Sequence, residues 1–373
     1  MKKATFIILS LWTINTQAQY TVRRGILSTS PASVTSVQGD LVVRGDVVHR
    51  GVMMLYDNLT TDGVFEASSG SLWLVGLDQR IQTDASFGHL TVRGGGAKQI
   101  KGNLEVLNKL QLSSGILQTQ EADRLIVAAT ATITEGSPAS HIDGFLYHTG
   151  TGEKFYPIGK DGTYAPATLI DITGDDPTVG MAYFPSAKLS GTEFHWQQSV
   201  IDGTYDGSAA ELTFISENSD YRKYSDELVV LAGSDGSSGY VSLGQSSLNI
   251  RDDRFTIVSA QSTALPMLTV GFDIPEDTKH LYIPNAFSPT APNAEDRCIK
   301  VYGQKISSRN FYFAIQDVWG TVVYETHSRE EAAAQGWSGA ANTSGVAVTY
   351  RYRLEGAFIG GKRFQQTGTI VQY

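Results

Sequence analysis

The sequence predicts an all-β chain with a β-helix or solenoid-like N-terminal region, a β-sandwich-like middle region and a small C-terminal Ig-like β-sandwich. Three observations predict it. Runs of Val, Ile, Leu, Thr, Tyr and Phe, four to eight residues long, recur between Gly, Asp, Asn and Ser, the pattern of short strands and turns. Glycine supplies 38 of 373 residues, above the roughly 7 % of ordinary proteins. Only Ser328–Gln335, ending at Gly336, has the composition of a helix.

The chain holds 41 % hydrophobic residues, enough for a core, so wholesale disorder is excluded. Its net charge is −9, with no long Lys/Arg run. That argues against nucleic acid as a partner, because phosphate binding needs a basic footprint. The charge is unevenly spread. Nine Lys and Arg face seven Asp and Glu between Tyr282 and Tyr373, a net +2, which leaves −11 before it. Cys298 is the one cysteine. A disulfide framework and a zinc site built on several thiolates are therefore excluded.

Residues 1–18 read as a secretory signal. Lys2 and Lys3 precede the apolar run Ala4–Ile14, and Thr16-Gln17-Ala18 places small residues where a signal peptidase inspects them. Cleavage is expected between Ala18 and Gln19. The run is well short of the roughly 20 residues that span a bilayer, and no cysteine near the cleavage point supports lipidation. Nothing later approaches a transmembrane helix, so the mature chain is expected to be soluble or held by other proteins.

Three zones follow, at 19–144, 145–275 and 281–373. In the first, Leu41-Val42-Val43-Arg44-Gly45 returns as Leu90-Thr91-Val92-Arg93-Gly94, with similar pieces at Ser71–Val75, Asn103–Leu107, Lys109–Leu112 and Arg124–Val127. Short strands and bends at near-regular intervals fit a right-handed β-helix whose rungs bury their inner face by stacking. The period is imperfect, so a sandwich of hairpins stays open as the alternative. The second zone has longer strands, at Glu211–Ser216, Glu227–Ala232 and Thr256–Ser259, which favour an antiparallel sandwich. Pro266, Pro275 and Pro284 mark its end. In the third zone Phe311, Phe313 and Ile315 share one face, and Val346–Leu354 sets Tyr350, Tyr352 and Leu354 against Arg351 and Arg353.

The residues of chemistry are scattered. Gly356…Gly361-Lys362 has P-loop spacing, but Arg363 stands where Ser or Thr must hold magnesium, so it reads as a hairpin turn. Gly94-Gly95-Gly96 lacks the third spaced glycine of a dinucleotide loop and reads as a bend between rungs. The histidines His49, His89, His141, His148, His195, His280 and His327 form neither an i, i+4 pair nor a His-x-His. No metal site or other cofactor is expected, and Cys298 has no nearby His to activate it. Glycoside hydrolysis needs paired carboxylates. The candidates Asp175-Asp176, Asp202 with Asp206, and Asp252-Asp253 all lie in turn-like sequence, and Asp235 in a Gly/Ser loop could bind calcium weakly but offers too few ligands for an EF-hand-like site. Trp73, Trp196, Tyr205, Tyr221, Tyr224 and Tyr240 offer sugar-stacking surfaces or core filling.

The third zone resembles the gliding motility-associated C-terminal domain of Bacteroidota surface proteins, the type B sorting domain of the type IX secretion system. Four motifs carry the resemblance. They are Tyr282-Ile283-Pro284-Asn285-Ala286-Phe287-Ser288-Pro289, the stretch Asp317–Glu325 with Trp319-Gly320, Gly336-Trp337-Ser338-Gly339 with Gly345–Tyr350, and Gly368-Thr369-Ile370. They span 92 residues, about a quarter of the chain. One departure is that Thr290–Asp296 reads TAPNAED in place of an Asn-Gly-Asp-Gly-type loop. A weaker resemblance to large surface proteins of the same phylum covers Phe155-Tyr156-Pro157-Ile158-Gly159 and Tyr164-Ala165-Pro166, which reads as structural.

The resemblance implies a non-enzymatic passenger. The signal would lead to the periplasm, and the type IX translocon with its outer-membrane anchoring or shuttle barrel would read the C-terminal domain and keep it at the cell surface. Recognition would use shape and exposed strand edges. The expected role is an adhesin or a surface or gliding-motility accessory, with surface glycans as a further partner. The alternatives are a secreted polysaccharide-degrading enzyme of the β-helix type and a structural component that stays with the secretion or gliding apparatus.

Overall fold

A computed structural model describes residues 19–22, 26–120, 122–186, 192–234, 240–273, 280–340, 346–359 and 362–373. The segment through Ala18 expected to be a signal, the loop around Asp235, and Pro275, Gly345, Gly360 and Gly361 lie outside the described residues. The chain divides into two compact units, residues 1–147 and 148–373.

The first unit is a three-sided parallel β-solenoid. One side is a sheet of seven strands, Tyr20–Val22, Leu41–Val43, Leu59–Thr61, Gln79–Gln82, Ala97–Lys101, Ile116–Gln118 and Ile142–Asp143, each parallel to the next. The parallel pairing rules out the alternative of a hairpin sandwich. A rung takes about twenty residues. Bonds between neighbouring rungs join partners from 17 residues apart, Val47 and Val64, to 26 apart, Thr119 and Phe145.

Stacking in register lines up apolar side chains. Leu41, Leu59, Ile81 and Ile100 form one inner column, and Val37, Leu55, Leu74, Val92 and Leu112 form another. Most of these side chains are wholly buried, which is where the hydrophobic stabilisation of a rung resides. Polar ladders set the corners. Asp40 Oδ1 accepts from Asn58 N and Nδ2, Asn58 Oδ1 accepts from Arg80 N, and Asp84 Oδ1 accepts from Asn103 N.

The repeated phrases group differently from their spelling. Ser71–Val75, Leu90–Val92 and Lys109–Leu112 are neighbours on one side, through the pairs Leu72 with Leu90 and Leu90 with Leu110. Asn103–Val106 pairs with Arg124–Val127 on another. Leu41–Val43, the twin of Leu90–Val92 in sequence, lies on the seven-stranded side. All three sides ask for the same alternation of buried and exposed residues, so a short phrase does not specify its side.

In the second unit, residues 148–273 form two antiparallel sheets. One runs in the order Gly152–Tyr156, Ala167–Thr173, Gly207–Ile215, Arg254–Val258, Ser247–Arg251. The other contains Thr178–Phe184, His195–Asp202, Met267–Phe272, Leu228–Gly233 and Val241–Gly244. An aromatic cluster fills the space between them. Phe194 and Phe214 have ring centres 4.8 Å apart, Phe214 stacks on Phe255 at 5.1 Å, and the Trp196 indole donates to Ala165 O at 3.0 Å. The Phe155–Ala165 phrase is structural as expected. Tyr156 and Ile158 are fully buried, and a hairpin pairs Gly159–Lys160 with Thr163–Tyr164.

Residues 281–373 carry a five-stranded sheet in the order Ala286–Phe287, Arg363–Gln372, Val348–Ala357, Tyr312–Gln316, Val322–Thr326. Only the first pair is parallel. Tyr350, Tyr352 and Leu354 are buried, whereas Arg351 and Arg353 face outward, as period-two alternation requires. The covering layer comprises the ribbon Leu281–Tyr282/Tyr302–Gly303, the bridges Ile299–Trp337 and Ile306–Phe358, and helix Arg329–Ala334. That helix falls inside the stretch with helical composition. Ser328 caps it by accepting from Glu331 N at 3.1 Å.

Candidate recognition hairpin

Most of the motif residues hold the C-terminal fold, and Trp319 is the most exposed of their large apolar side chains. Phe287 and Trp337 are buried at 4 % and 6 % exposure. Their rings lie 5.3 Å apart, and Trp337 meets Tyr350 edge-on at 4.7 Å. Asn285 O accepts from Val371 N, and Phe287 O accepts from Tyr373 N, which seats the Tyr282–Pro289 segment beside the last strand. Pro284 is half-buried ahead of Asn285, and Ser288 and Pro289 are half-buried where the chain leaves the sheet. Ser288 N donates to Asp296 O at 3.0 Å.

Tyr282 is exposed, with its ring 6.1 Å from that of Tyr302. Gly339 has φ +92° and is gripped by the buried Gln372 amide, whose Nε2 donates to Ala340 O at 2.8 Å. Gly368 lies opposite Tyr352, and a Cβ there would come within 2.6 Å of that ring. Only glycine lets the aromatic lie flat across the neighbouring strand.

Trp319 is the exception. It sits at the tip of the hairpin between Tyr312–Gln316 and Val322–Thr326 and is 89 % exposed, flanked by Val318 and Val322, also exposed. The loop beneath it is well fixed. The Asp317 carboxylate accepts from Trp319 N at 2.9 Å and Thr321 N at 2.8 Å. Asp317 N donates to Thr321 O and Gly320 N to Asp317 O, with Gly320 at φ +87°. An indole in water on a braced turn loses little conformational entropy when a partner covers it.

The departing loop Thr290–Asp296 folds through its own contacts. Asn293 Oδ1 caps the turn Ala294–Arg297, and Arg297 donates to the carbonyls of Ala291 and Pro292.

Other candidates lie apart. Asp175-Asp176 and the Asp202–Asp206 turn are neighbours, joined by Thr204 N to Asp175 O at 3.0 Å and Asp175 N to Thr204 Oγ1 at 2.9 Å. Asp252 heads a separate hairpin turn at φ +53°. Among the described residues no three His, Cys, Asp or Glu side chains are grouped to hold a metal ion. A shallow depression of about 450 Å³ on the solenoid is lined by Asp40, Asn58, Thr60, Arg80 and Gln82, and Asn58 there already donates to Asp40.

Of the aromatics, Trp196 and Tyr221 are core, and the half-buried Trp73 is covered by the Arg93 guanidinium 4.5 Å from its ring centre. Tyr205 donates to Thr263 O, and Tyr224 packs edge-on to Phe272.

His49, His141, His148 and His195 are buried. Burial lowers the pKa of His49 and His141, and that of His148 falls to about 4 despite its bond to Phe155 O. A polar group the sequence did not single out is Lys98. It is fully buried beside the Gly94–Gly96 bend, where its ammonium donates to the carbonyls of Gly76, Leu77 and Gly95. Burial lowers its pKa against the opposing pull of Asp78.

Among the described residues no helix is long and apolar enough to cross a membrane. No protein-family model matches the chain, and no curated protein is similar to it.

Proposed function

We propose that the chain is an exported cell-surface protein delivered by a type IX secretion system through residues 281–373. The solenoid and middle sandwich are the passenger, displayed as an adhesin or a surface or gliding-motility accessory. The observation that carries this reading is Trp319, 89 % exposed on a loop fixed by Asp317, while Phe287 and Trp337 of the same motif set are buried. Large exposed aromatics on a rigid support are what partner surfaces bury at their centres. The occupant is an apolar pocket on the translocon or its outer-membrane barrel. A repetitive solenoid gives the passenger a long lateral surface, which suits adhesion to extended ligands.

The test is made in a host with an active type IX system, reading accessibility to protease added outside the cells. The unmodified chain should be cleaved from outside, and Trp319→Ala should accumulate in the periplasm as a folded protein. Surface display of Trp319→Ala at the normal level removes the hairpin from the reading. Normal display of a chain lacking residues 281–373 removes delivery by this region altogether.

A further inference from the structure

The resemblance implies a self-contained C-terminal label, yet residues 148–373 form one compact unit. Its two parts meet at a polar seam. On the middle sandwich the seam presents Glu193, Asp220 and Glu227. On the C-terminal region it presents Lys305, Ser307, Ser308, Arg309 and Arg329. Asp220, in the short helix Ser219–Lys223, is 1 % exposed. Its Oδ2 accepts from Ser307 Oγ at 2.6 Å, and its Oδ1 from Ser308 Oγ at 3.5 Å.

Around it Arg309 Nη1 donates to Glu193 Oε1 at 2.6 Å, and Lys305 pairs with Glu227. Arg329 Nη1 donates to Tyr224 OH at 3.2 Å and to Ile306 O at 3.0 Å. Lys305, Arg309 and Arg329 come from one side and Glu193, Asp220 and Glu227 from the other, so these groups are complementary in charge, while Glu330 on the C-terminal side also accepts from Ser308 Oγ at 3.3 Å.

The corner that enters the seam is itself unusual. Lys305 and Asn310, which bracket Ser307–Arg309, have φ of +57° and +54°. Non-glycine residues hold that conformation only where their surroundings over-determine it. Here Ser307 N donates to Ala357 O, and Arg309 N to Ser307 Oγ, while Ser307 Oγ reaches across to Asp220. A buried carboxylate left without these donors would carry its full desolvation penalty.

We propose that Asp220 latches the C-terminal sandwich to the middle sandwich, so that the two open and unfold as one cooperative body. The seam lies at the start of the strand Tyr312–Gln316, and Trp319 lies past its other end. The latch therefore holds the C-terminal sandwich by one end and leaves the hairpin tip clear. This inference stands whether or not the region serves in export.

The test is pulse-labelled hydrogen exchange on the full chain along a urea series, reading the amides of Gly207–Ile215 and of Tyr312–Gln316 separately. In the unmodified chain the two midpoints coincide. In Asp220→Ala the 312–316 amides open first. Their opening becomes more frequent by on the order of tenfold to a hundredfold, the worth of a hydrogen bond to a charged group. Ser307→Ala, a gentler truncation, gives the same split, and it decides the matter if Asp220→Ala does not fold. Asp220→Asn, which keeps an acceptor oxygen, splits them less. Midpoints already apart in the unmodified chain, or still together in Ser307→Ala, overturn the latch.

Discussion

The solenoid and the C-terminal region both take most of their regular structure from strands, yet they use their sequence differently. In the solenoid every rung touches only the rungs before and after it, so stability is a sum of local stacking terms. Its core is aliphatic ladders of Leu, Ile and Val in parallel register, with corners set by Asp and Asn side chains. The C-terminal sandwich draws its core from distant parts of the chain. Phe287, Trp337 and Tyr350 touch one another, and the last strand closes against the segment 285–287. The first arrangement tolerates irregular rungs, and the second needs particular aromatics in particular places.

That contrast breaks most visibly at Trp337. Trp337→Ala should cost about 3–5 kcal/mol and remove protection from the whole 281–373 sheet in hydrogen exchange. The solenoid amides of residues 86–112 should keep theirs. Loss confined to residues near 337 would mean that the C-terminal core is as modular as a rung.

A pH titration comes next in size. His148 belongs to the second unit and is neutral when folded, with a pKa near 4 against 6.5 when unfolded. The unfolded chain therefore binds the extra proton, so stability is fully present above pH 6.5 and is lost as pH falls toward 4. The loss amounts to about 3 kcal/mol by linkage. His148→Gln should flatten that dependence in chemical denaturation of the second unit. The solenoid should retain its own acid sensitivity through His49 and His141, whose pKa values are lowered in the same direction.

Lys98→Met tests whether a solenoid corner is a local matter. It leaves the carbonyls of Gly76, Leu77 and Gly95 without their donor, at about 1–3 kcal/mol. Exchange should rise in the rungs around residues 76–98 and stay unchanged two rungs away. A spread through the whole solenoid would show cooperativity that nearest-neighbour stacking does not supply. The smallest effect is expected at Trp319. Trp319→Ala should change the unfolding free energy from urea denaturation by no more than about 0.5 kcal/mol, as for a surface site. A larger loss would mean that the indole is part of the fold rather than a contact offered to a partner.

The all-β class, the solenoid and the period-two faces of the C-terminal strands were legible in the sequence because alternation and turn residues are local signals. Arg351 and Arg353 could be set opposite Tyr350, Tyr352 and Leu354 without a structure. The sides of the solenoid were not legible. Leu41–Val43 and Leu90–Val92 read alike but occupy different sides, since each side imposes the same alternation. The site was half legible. The motifs named Trp319 and Trp337 together, and nothing in their spelling separates an indole in water from one in the core. Lys98 gave no signal, because its partners are backbone carbonyls.

What the amino-acid order determined by itself is therefore the class of structure and the inner and outer faces of each strand, which follow from the pleat. Tertiary structure alone decided the rung register, the exposure of Trp319 and the meeting of Asp220 with Ser307. Those depend on groups far apart in the chain, brought together by packing and by the need of each buried polar atom for a partner.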